Sequence, residues 1–222
     1  MSNVQLTAAD GFTLEAYRAD PDGEPRGTVV VVQEIFGVNG HIRSVADRFA
    51  AEGYLALAPA VFDRAERGVE LGYDEAGMKH GFGIAVALDG DLVMADIAAA
   101  VGAAPPGPVV VVVGYCFGGT MAARAAIELE GVSAAVGYYG SGIARSLLDR
   151  HPRVPLLLQY GEADGGIPLS DVDAVRAAWP DVEVIVHDGA GHGFNCDQRD
   201  SFSPAASASA WGSTLAFLER SA

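Results

Sequence analysis

The sequence predicts a doubly wound α/β fold, in which helices cover both faces of a mostly parallel sheet of about seven or eight strands. Runs of β-branched residues such as Val109–Val113 suit strands that are buried on both faces, as in a parallel sheet. These runs alternate along the chain with segments of helical periodicity, and that alternation is typical of α/β proteins. A chain of 222 residues, half of them hydrophobic, can bury the core of one domain, so we expect a single domain over residues 1–222.

The first half of the chain begins with a predicted antiparallel hairpin. Apolar and polar side chains alternate over residues 4–6 and 12–18, with Asp10 and Gly11 between the two runs. Over about 60–88 the periodicity fades, and an insertion of this kind at the carboxyl end of a strand predicts a lid. The other elements of this half are a buried strand over 28–34, a helix over 41–52, a short strand over 54–59 and a helix over 88–102.

The second half continues the alternation of strands and helices. A helix over 170–179 has Ser170 as its predicted N-cap, because a serine side chain can accept a hydrogen bond from a free amide of the first turn. Pro180 follows that helix and cannot continue it. The pattern predicts the remaining elements as a strand at Val109–Val113, a helix over 119–130, a strand over 133–139, a short helix near 144–149, a strand over 154–160, a strand over 182–187 and a closing helix over 204–220.

Charge and composition argue against several classes of partner. The formal net charge of −15 and the small number of basic residues disfavour nucleic acid, whose phosphates are neutralised by clustered Lys and Arg. No apolar run approaches the roughly 18 residues of a membrane span, and no basic-then-apolar leader opens the chain. Two cysteines make no disulfide framework. We expect a soluble, cytoplasmic protein that is a monomer or small homo-oligomer, with neither a nucleic-acid nor a membrane partner.

The central feature of the sequence is the turn that follows the five valines. There, Gly114, Cys116 and Gly118 form Gly-x-Cys-x-Gly between a strand and a helix, which matches the nucleophile elbow of α/β-hydrolases with sulfur in place of oxygen. Flanking glycines suit a strained turn because they bring no side chain into it. The helix N-terminus favours a thiolate. The alternative is a small buried thiol beside glycines that pack a helix.

A thiol nucleophile needs a base and an acid that orients the base, and in this fold they follow the nucleophile in the order acid, histidine. Asp164 follows the strand over 154–160, and Glu162 is a rival acid two residues earlier. His192 lies in a glycine-rich loop after the last predicted strand. The sequence therefore predicts a Cys116–His192–Asp164 triad. The alternatives are that Asp164 only caps a turn and that His192 is a surface turn residue.

Glu34 stands at the end of a valine-rich strand, where an unpaired buried carboxylate would be costly. Either it points to solvent, or it is held near the site for proton transfer. If it lies close to Cys116, two neighbouring anions would keep the resting thiol protonated until substrate arrives. The fold would place an oxyanion hole at the backbone N–H groups of Ile35 and Phe117.

Taken together, these motifs resemble the dienelactone hydrolase family of α/β-hydrolases over nearly the whole chain. The resemblance implies hydrolysis of a small-molecule lactone or carboxylic ester through a thioester, of the carboxymethylenebutenolidase type, with no metal or other cofactor. It implies the triad above, with Glu34 helping to deprotonate the thiol when substrate binds. The matching blocks are Gln33–Gly37, Gly114–Gly119, Ala135–Gly140, Asp164 and Gly191–Phe194.

The chain departs from this family at the residues that contact the substrate. Members specific for dienelactone resemble one another in carrying an arginine four residues after the histidine, and Cys196 stands there in this sequence. A neutral thiol does not replace a bidentate carboxylate contact. We therefore expect the reaction on an unassigned ester or lactone, with substrate contacts from Phe36, Tyr139, Arg64 and His80. The alternatives are a thioesterase or acyl transferase, or a non-catalytic thiol that binds a ligand or senses redox state.

Overall fold

The computed structural model describes residues 2–107 and 109–221 and contains one eight-stranded sheet with strand order β1-β2-β4-β3-β5-β6-β7-β8. The β1–β2 and β2–β4 pairings are antiparallel, and the remaining five are parallel. The predicted mostly parallel sheet is thus confirmed. The strands are β1 Ser2–Thr7, β2 Thr13–Ala19, β3 Gly27–Val32, β4 Leu55–Pro59, β5 Val109–Tyr115, β6 Ala134–Tyr138, β7 Leu156–Gly161 and β8 Glu183–His187.

Helices cover both faces of the sheet. Gly114 and Gly137 point toward α4, whereas Tyr138, the next residue along β6, hydrogen-bonds α7 on the opposite face. Within the described chain, no helix combines the length and the apolar character needed to cross a membrane. The helices are α1 Gly40–Ala51, α2 Glu75–Ala87, α3 Gly90–Gly102, α4 Phe117–Glu128, α5 Ile143–Ser146, α6 Leu169–Ala178 and α7 Pro204–Arg220, and a short 3-10 turn spans Val61–Arg64.

The insertion over about 60–88 contains helix α2, which the sequence did not predict. Its glycines lower helix propensity and obscure the periodicity. A Cβ at Gly81 would lie 1.9 Å from the carbonyl oxygen of Ile35, and one at Gly77 would lie 2.1 Å from that of Gly72. The glycines are therefore explained by close backbone packing, while the Asp74 side chain caps the helix by accepting from the Gly77 amide at 2.7 Å.

The predicted N-cap of α6 is wrong. The helix begins at Leu169, so Ser170 lies inside its first turn, and the N-cap residue is Pro168, which makes no side-chain capping hydrogen bond. Proline supplies an extended backbone conformation before the helix, and its missing N–H costs nothing at this position.

Candidate active site

Cys116 occupies the strained turn between β5 and α4. Its φ of 54° and ψ of −110° lie in a region that non-glycine residues rarely adopt. The turn is held because the Cys116 amide donates to the Tyr138 carbonyl at 3.0 Å, and the Thr120 amide donates to the Cys116 carbonyl at 3.2 Å. The side chain is half-buried. Cys116 directly follows β5, so its sulfur lies at the carboxyl end of a central strand, where ligands bind in open α/β sheets.

The positions on either side of the Cys116 turn must be glycine, because a Cβ atom there would collide with backbone atoms. A Cβ at Gly118 would lie 2.2 Å from the carbonyl oxygen of Val32 and 2.6 Å from that of Gln33. A Cβ at Gly114 would lie 1.8 Å from the carbonyl oxygen of Gly118. Both contacts are shorter than real Cβ atoms tolerate, and neither partner is a flexible side chain, so the turn requires glycine at these positions.

Gly118→Ala is expected to destabilise the protein by about 1–3 kcal/mol or more, because the added methyl group forces backbone apart. Chemical denaturation with urea measures the effect. Gly212→Ala is the matched control: it lies inside α7, and a Cβ added there would meet nothing within 4 Å, so we expect no loss and up to about 1 kcal/mol of gain. Equal stability of the two variants would contradict the steric explanation.

In the predicted triad, His192 lies within hydrogen-bond distance of both Cys116 and Asp164. His192 Nε2 lies 3.2 Å from Cys116 Sγ, and His192 Nδ1 lies 2.7 Å from Asp164 Oδ2. The other oxygen of buried Asp164 accepts from the Gly166 amide at 2.8 Å, which fixes the carboxylate. The rival acid Glu162 points elsewhere and accepts from the Gly189 amide at 2.9 Å. This arrangement is the one that a nucleophile, a base and an orienting acid require, and the catalytic roles of the three residues stay a prediction.

The surroundings of His192 favour its protonated form. Burial lowers the pKa of the imidazole, but the hydrogen bonds to Asp164 and Cys116 and the charges of these two groups outweigh burial and raise the pKa of His192 to about 10. The Tyr139 ring packs on the imidazole with a centroid distance of 5.0 Å and helps to hold its orientation. His192 is thus suited to hold a proton that it can pass to a neighbouring group.

Glu34 is fully buried, and protein groups compensate its carboxylate. Arg199 Nη1 donates to Glu34 Oε1 at 3.3 Å, and the Tyr73 hydroxyl donates to Glu34 Oε2 at 3.0 Å. Asn39 Nδ2 in turn donates to the Tyr73 oxygen at 3.2 Å. Among the described residues, no hydrogen bond joins Glu34 to Cys116. The cost of burying this charge is offset by a cation and a hydroxyl.

Sequence reasoning missed both partners of Glu34, Arg199 and Tyr73, and the position of Arg199 has a structural explanation. The expected cation position after His192 is Cys196, but the loop then folds back through successive turns, in which the Cys196 amide donates to Gly193 and the Arg199 amide donates to Cys196. These turns bring Arg199, which lies three residues after Cys196, back to the carboxylate of Glu34. The loop conformation decides which residue reaches the site, so spacing from the histidine alone could not identify it.

Arg199→Met is expected to lower the free energy of unfolding by about 3 kcal/mol, because it leaves a buried carboxylate without its cation. Adding Glu34→Gln should recover much of that loss, since the amide carries no charge, and a double-mutant cycle from urea denaturation measures the coupling. The control Arg176→Met removes an exposed pair with Asp173 and should change stability by no more than about 0.5 kcal/mol. Additive effects of the two site substitutions would contradict this pairing.

Of the two predicted oxyanion donors, Phe117 follows Cys116 in the chain, and Ile35 follows β3, the strand that pairs with β5. Phe117 is the first residue of α4, and the first N–H groups of a helix have no acceptor within it. The Ile35 amide donates none of the turn and loop backbone hydrogen bonds found over residues 2–107 and 109–221. The Gly118 amide donates to the Gln33 carbonyl at 3.0 Å and so ties the two segments together. Their role as an oxyanion hole stays a prediction.

Two of the predicted substrate contacts lie in the walls of the site. Phe36 is buried and packs on Tyr73, with ring centroids 4.4 Å apart. Tyr139 is buried against His192 with a φ of 39°, and its hydroxyl has no partner among the described residues. Tyr139 therefore packs on His192, and Phe36 packs on the tyrosine that hydrogen-bonds Glu34; direct contact of either ring with substrate stays a prediction.

The other two predicted contacts are paired away from the triad. Arg64 donates to Asp96 at 2.7 Å and to Asp10 at 2.8 Å, and its side chain is almost fully covered. His80 lies on the exposed face of α2, 2.7 Å from Glu66. These contacts do not favour the predicted substrate role of either residue, because both side chains already have carboxylate partners.

Known proteins that are similar to this chain carry closely related names. The model of the dienelactone hydrolase family matches residues 14–222. A Synechocystis protein named "Putative carboxymethylenebutenolidase" is 35% identical over 201 residues, which are 82% of this chain and 81% of that protein. The carboxymethylenebutenolidase of Pseudomonas putida is 30% identical over 225 residues, 97% of this chain and 94% of its own. A solved structure from Klebsiella pneumoniae, titled "Putative Dienelactone Hydrolase", superposes with a TM-score of 0.83 at 29% identity over 99% of both chains.

Proposed function

This chain belongs to the dienelactone hydrolase family, and we propose that it hydrolyses a lactone or carboxylic ester through a thioester on Cys116. Membership makes it a hydrolase of carboxymethylenebutenolidase type. The observation that carries the finer proposal is the 3.2 Å contact between Cys116 Sγ and His192 Nε2, extended by the 2.7 Å contact to Asp164. This arrangement supplies the activated nucleophile that acyl transfer needs.

In the proposed first half-reaction, the Cys116 thiolate attacks the substrate carbonyl carbon and the C=O electron pair moves to oxygen. The N–H groups of Ile35 and Phe117 stabilise that oxyanion. As the intermediate collapses, the bond to the leaving oxygen breaks and His192 donates its proton to that oxygen. In a lactone the leaving oxygen remains tethered to the acyl group, so the product of this step is an opened thioester.

In the second half-reaction, His192 accepts a proton from water, and the resulting hydroxide attacks the thioester carbonyl. Acylation removes both the charge of Cys116 and its hydrogen bond to the imidazole, which are among the causes that raise the pKa of His192. The pKa of His192 therefore falls in the acyl-enzyme, and the neutral ring can act as a base. Collapse of the second intermediate leaves the thiolate beside the imidazolium, and Glu34 returns its proton to the sulfur as the acid product leaves.

Glu34 is proposed to assist deprotonation of Cys116 when substrate binds. Its two oxygens are held by Arg199 and Tyr73, so this role requires a change of pairing at one of them. Both partners also line a surface pocket, which gives a ligand a route to them. A substrate whose anionic group pairs with Arg199 would release Glu34 Oε1, because the guanidinium would then have a second acceptor.

A panel of activated esters and small lactones, with acid products quantified, tests the proposed function. We expect many turnovers per chain and a transient acyl adduct on the peptide that contains Cys116. Added alcohols or amines as acyl acceptors distinguish transfer from hydrolysis, since a transferase would divert most product to them. A single stoichiometric adduct with no turnover across the panel would instead indicate a thiol that binds or senses without catalysis.

A further inference from the structure

Outside the triad, three side chains that could bind a metal lie together among the described residues: Glu34, His41 and Cys196, here called the Glu–His–Cys cluster. One carboxylate oxygen, one ring nitrogen and the thiol sulfur lie within 4.8 Å of one another. Relative exposure is 0% for Glu34, 3% for His41 and 0% for Cys196. Over residues 2–107 and 109–221, no other set of three such groups is gathered in this way.

His41 in this cluster has an unsatisfied nitrogen. Its Nε2 is buried and has no hydrogen-bond partner among the described residues. Buried ring nitrogens are normally paired, so an unpartnered one requires a water or an ion to complete it. Its Nδ1 lies 3.8 Å from Asp197 Oδ1. A histidine that binds a metal usually directs its other nitrogen to a carboxylate, and His41 has a carboxylate on that side.

The ligand set selects the kind of cation. A thiol, an imidazole and a carboxylate are ligands that suit Zn²⁺, whereas Mg²⁺ and Ca²⁺ prefer oxygen alone. Arg199 donates to Glu34, and its positive charge would weaken the binding of a cation that is held by electrostatic attraction alone. A zinc–thiolate bond depends less on net charge, and a carboxylate oxygen keeps a second lone pair beside its hydrogen bond. A surface pocket lined by His41 and Asp197 borders the cluster on its histidine side.

We propose that the Glu–His–Cys cluster is a binding site for Zn²⁺, with ligands from a Glu34 oxygen, His41 Nε2 and Cys196 Sγ and with water in the fourth position. Binding releases the thiol proton of Cys196 to solvent, and no other bond in the chain breaks. The side chains need to close by about 1 Å to reach the ligand spacing of a tetrahedral site. This site uses none of the triad residues but shares Glu34 with the proposed proton transfer, and zinc binding there goes beyond the proposed hydrolase activity.

The test uses the Cys116→Ala variant, in which the nucleophilic thiol can no longer bind the metal. Zn²⁺ is titrated in competition with a chromophoric chelator, and we expect one ion per chain. Adding Cys196→Ser, or separately His41→Gln, should weaken binding by more than the roughly 10–100-fold that loss of an outer partner costs. Adding His80→Ala removes an exposed histidine paired with Glu66 and should leave the affinity unchanged.

Co²⁺ supplies a second measurement, because a thiolate ligand gives it a charge-transfer absorption in the near ultraviolet. We expect that band in Cys116→Ala and its loss on adding Cys196→Ser. If circular dichroism shows that one of the two ligand variants does not fold, the other variant still tests the proposal. Absence of stoichiometric binding, or Zn²⁺ affinity unchanged in a folded ligand variant, would overturn the proposal.

Discussion

Cys116→Ala is expected to lower kcat for an activated ester by about 10⁴-fold or more, because the thioester route requires sulfur and the remaining groups only position water. The fold should persist, since alanine is smaller than cysteine and introduces no new contact in the turn. The strained φ of 54° remains at this position with either residue. Steady-state kinetics on the variant, with the thermal transition followed by circular dichroism, measures both parts of the expectation.

The imidazole of His192 provides an independent measurement on the same variant. Loss of the sulfur removes a hydrogen bond and a charge that raise its pKa, so the pKa of His192 should fall below about 10 in Cys116→Ala. NMR titration of the ring reports this directly. Wild-type turnover by the alanine variant would contradict the assignment of Cys116 as nucleophile, and an unchanged ring pKa would contradict the contact between the two side chains.

Asp164→Asn is expected to lower kcat by about 10³–10⁴-fold while leaving the Cys116 thiol in place. The carboxylate accepts from His192 Nδ1 at 2.7 Å, and an amide can neither stabilise the imidazolium as well nor hold the same tautomer. The substitution is nearly isosteric, and the Gly166 amide keeps an oxygen acceptor. Kinetics on esters with good and poor leaving groups would show the larger loss where the imidazolium must protonate the leaving oxygen.

Asp164→Asn is also expected to shift the pH dependence of activity in a defined direction. Asp164 raises the pKa of His192, so its neutralisation should move the high-pH limb of kcat/KM, near pH 10 in the wild type, to lower pH. The free energy of unfolding depends on the pKa of the same ring. Because the folded pKa is raised above the unfolded value of about 6.5, the stabilisation is complete below pH 6.5 and is lost as pH rises toward 10. This loss should be smaller in Asp164→Asn.

The control is Asp173→Asn, which removes an exposed carboxylate on α6. It should alter neither kcat nor the position of the limb, since surface charges far from the ring are screened by salt. If Asp164→Asn and Asp173→Asn gave the same pH profile, the hydrogen bond from Asp164 would have no role in holding the proton on His192.

Local sequence patterns were enough for most of the framework. Valine runs such as Val109–Val113 report burial on both faces of a strand, and the observed β5 extends from Val109 to Tyr115. Glycines on either side of Cys116 report the turn, because backbone from a neighbouring segment leaves no room for a Cβ there. These features depend on residues close together in the chain. The same patterns failed at α2, where glycines packed on distant backbone hide the helical period.

The sequence by itself therefore determined the order of the strands and of the α-helices other than α2, the sharp bend at Cys116, and the succession of Cys116, Asp164 and His192 along the chain. Only the tertiary structure decided that Arg199, rather than the residue four positions after His192, reaches Glu34, and that Glu34, His41 and Cys196 come together. The partners Glu34 and Arg199 are 165 positions apart. Periodicity records which face of an element is buried, but pairings over such separations depend on how loops return to the sheet.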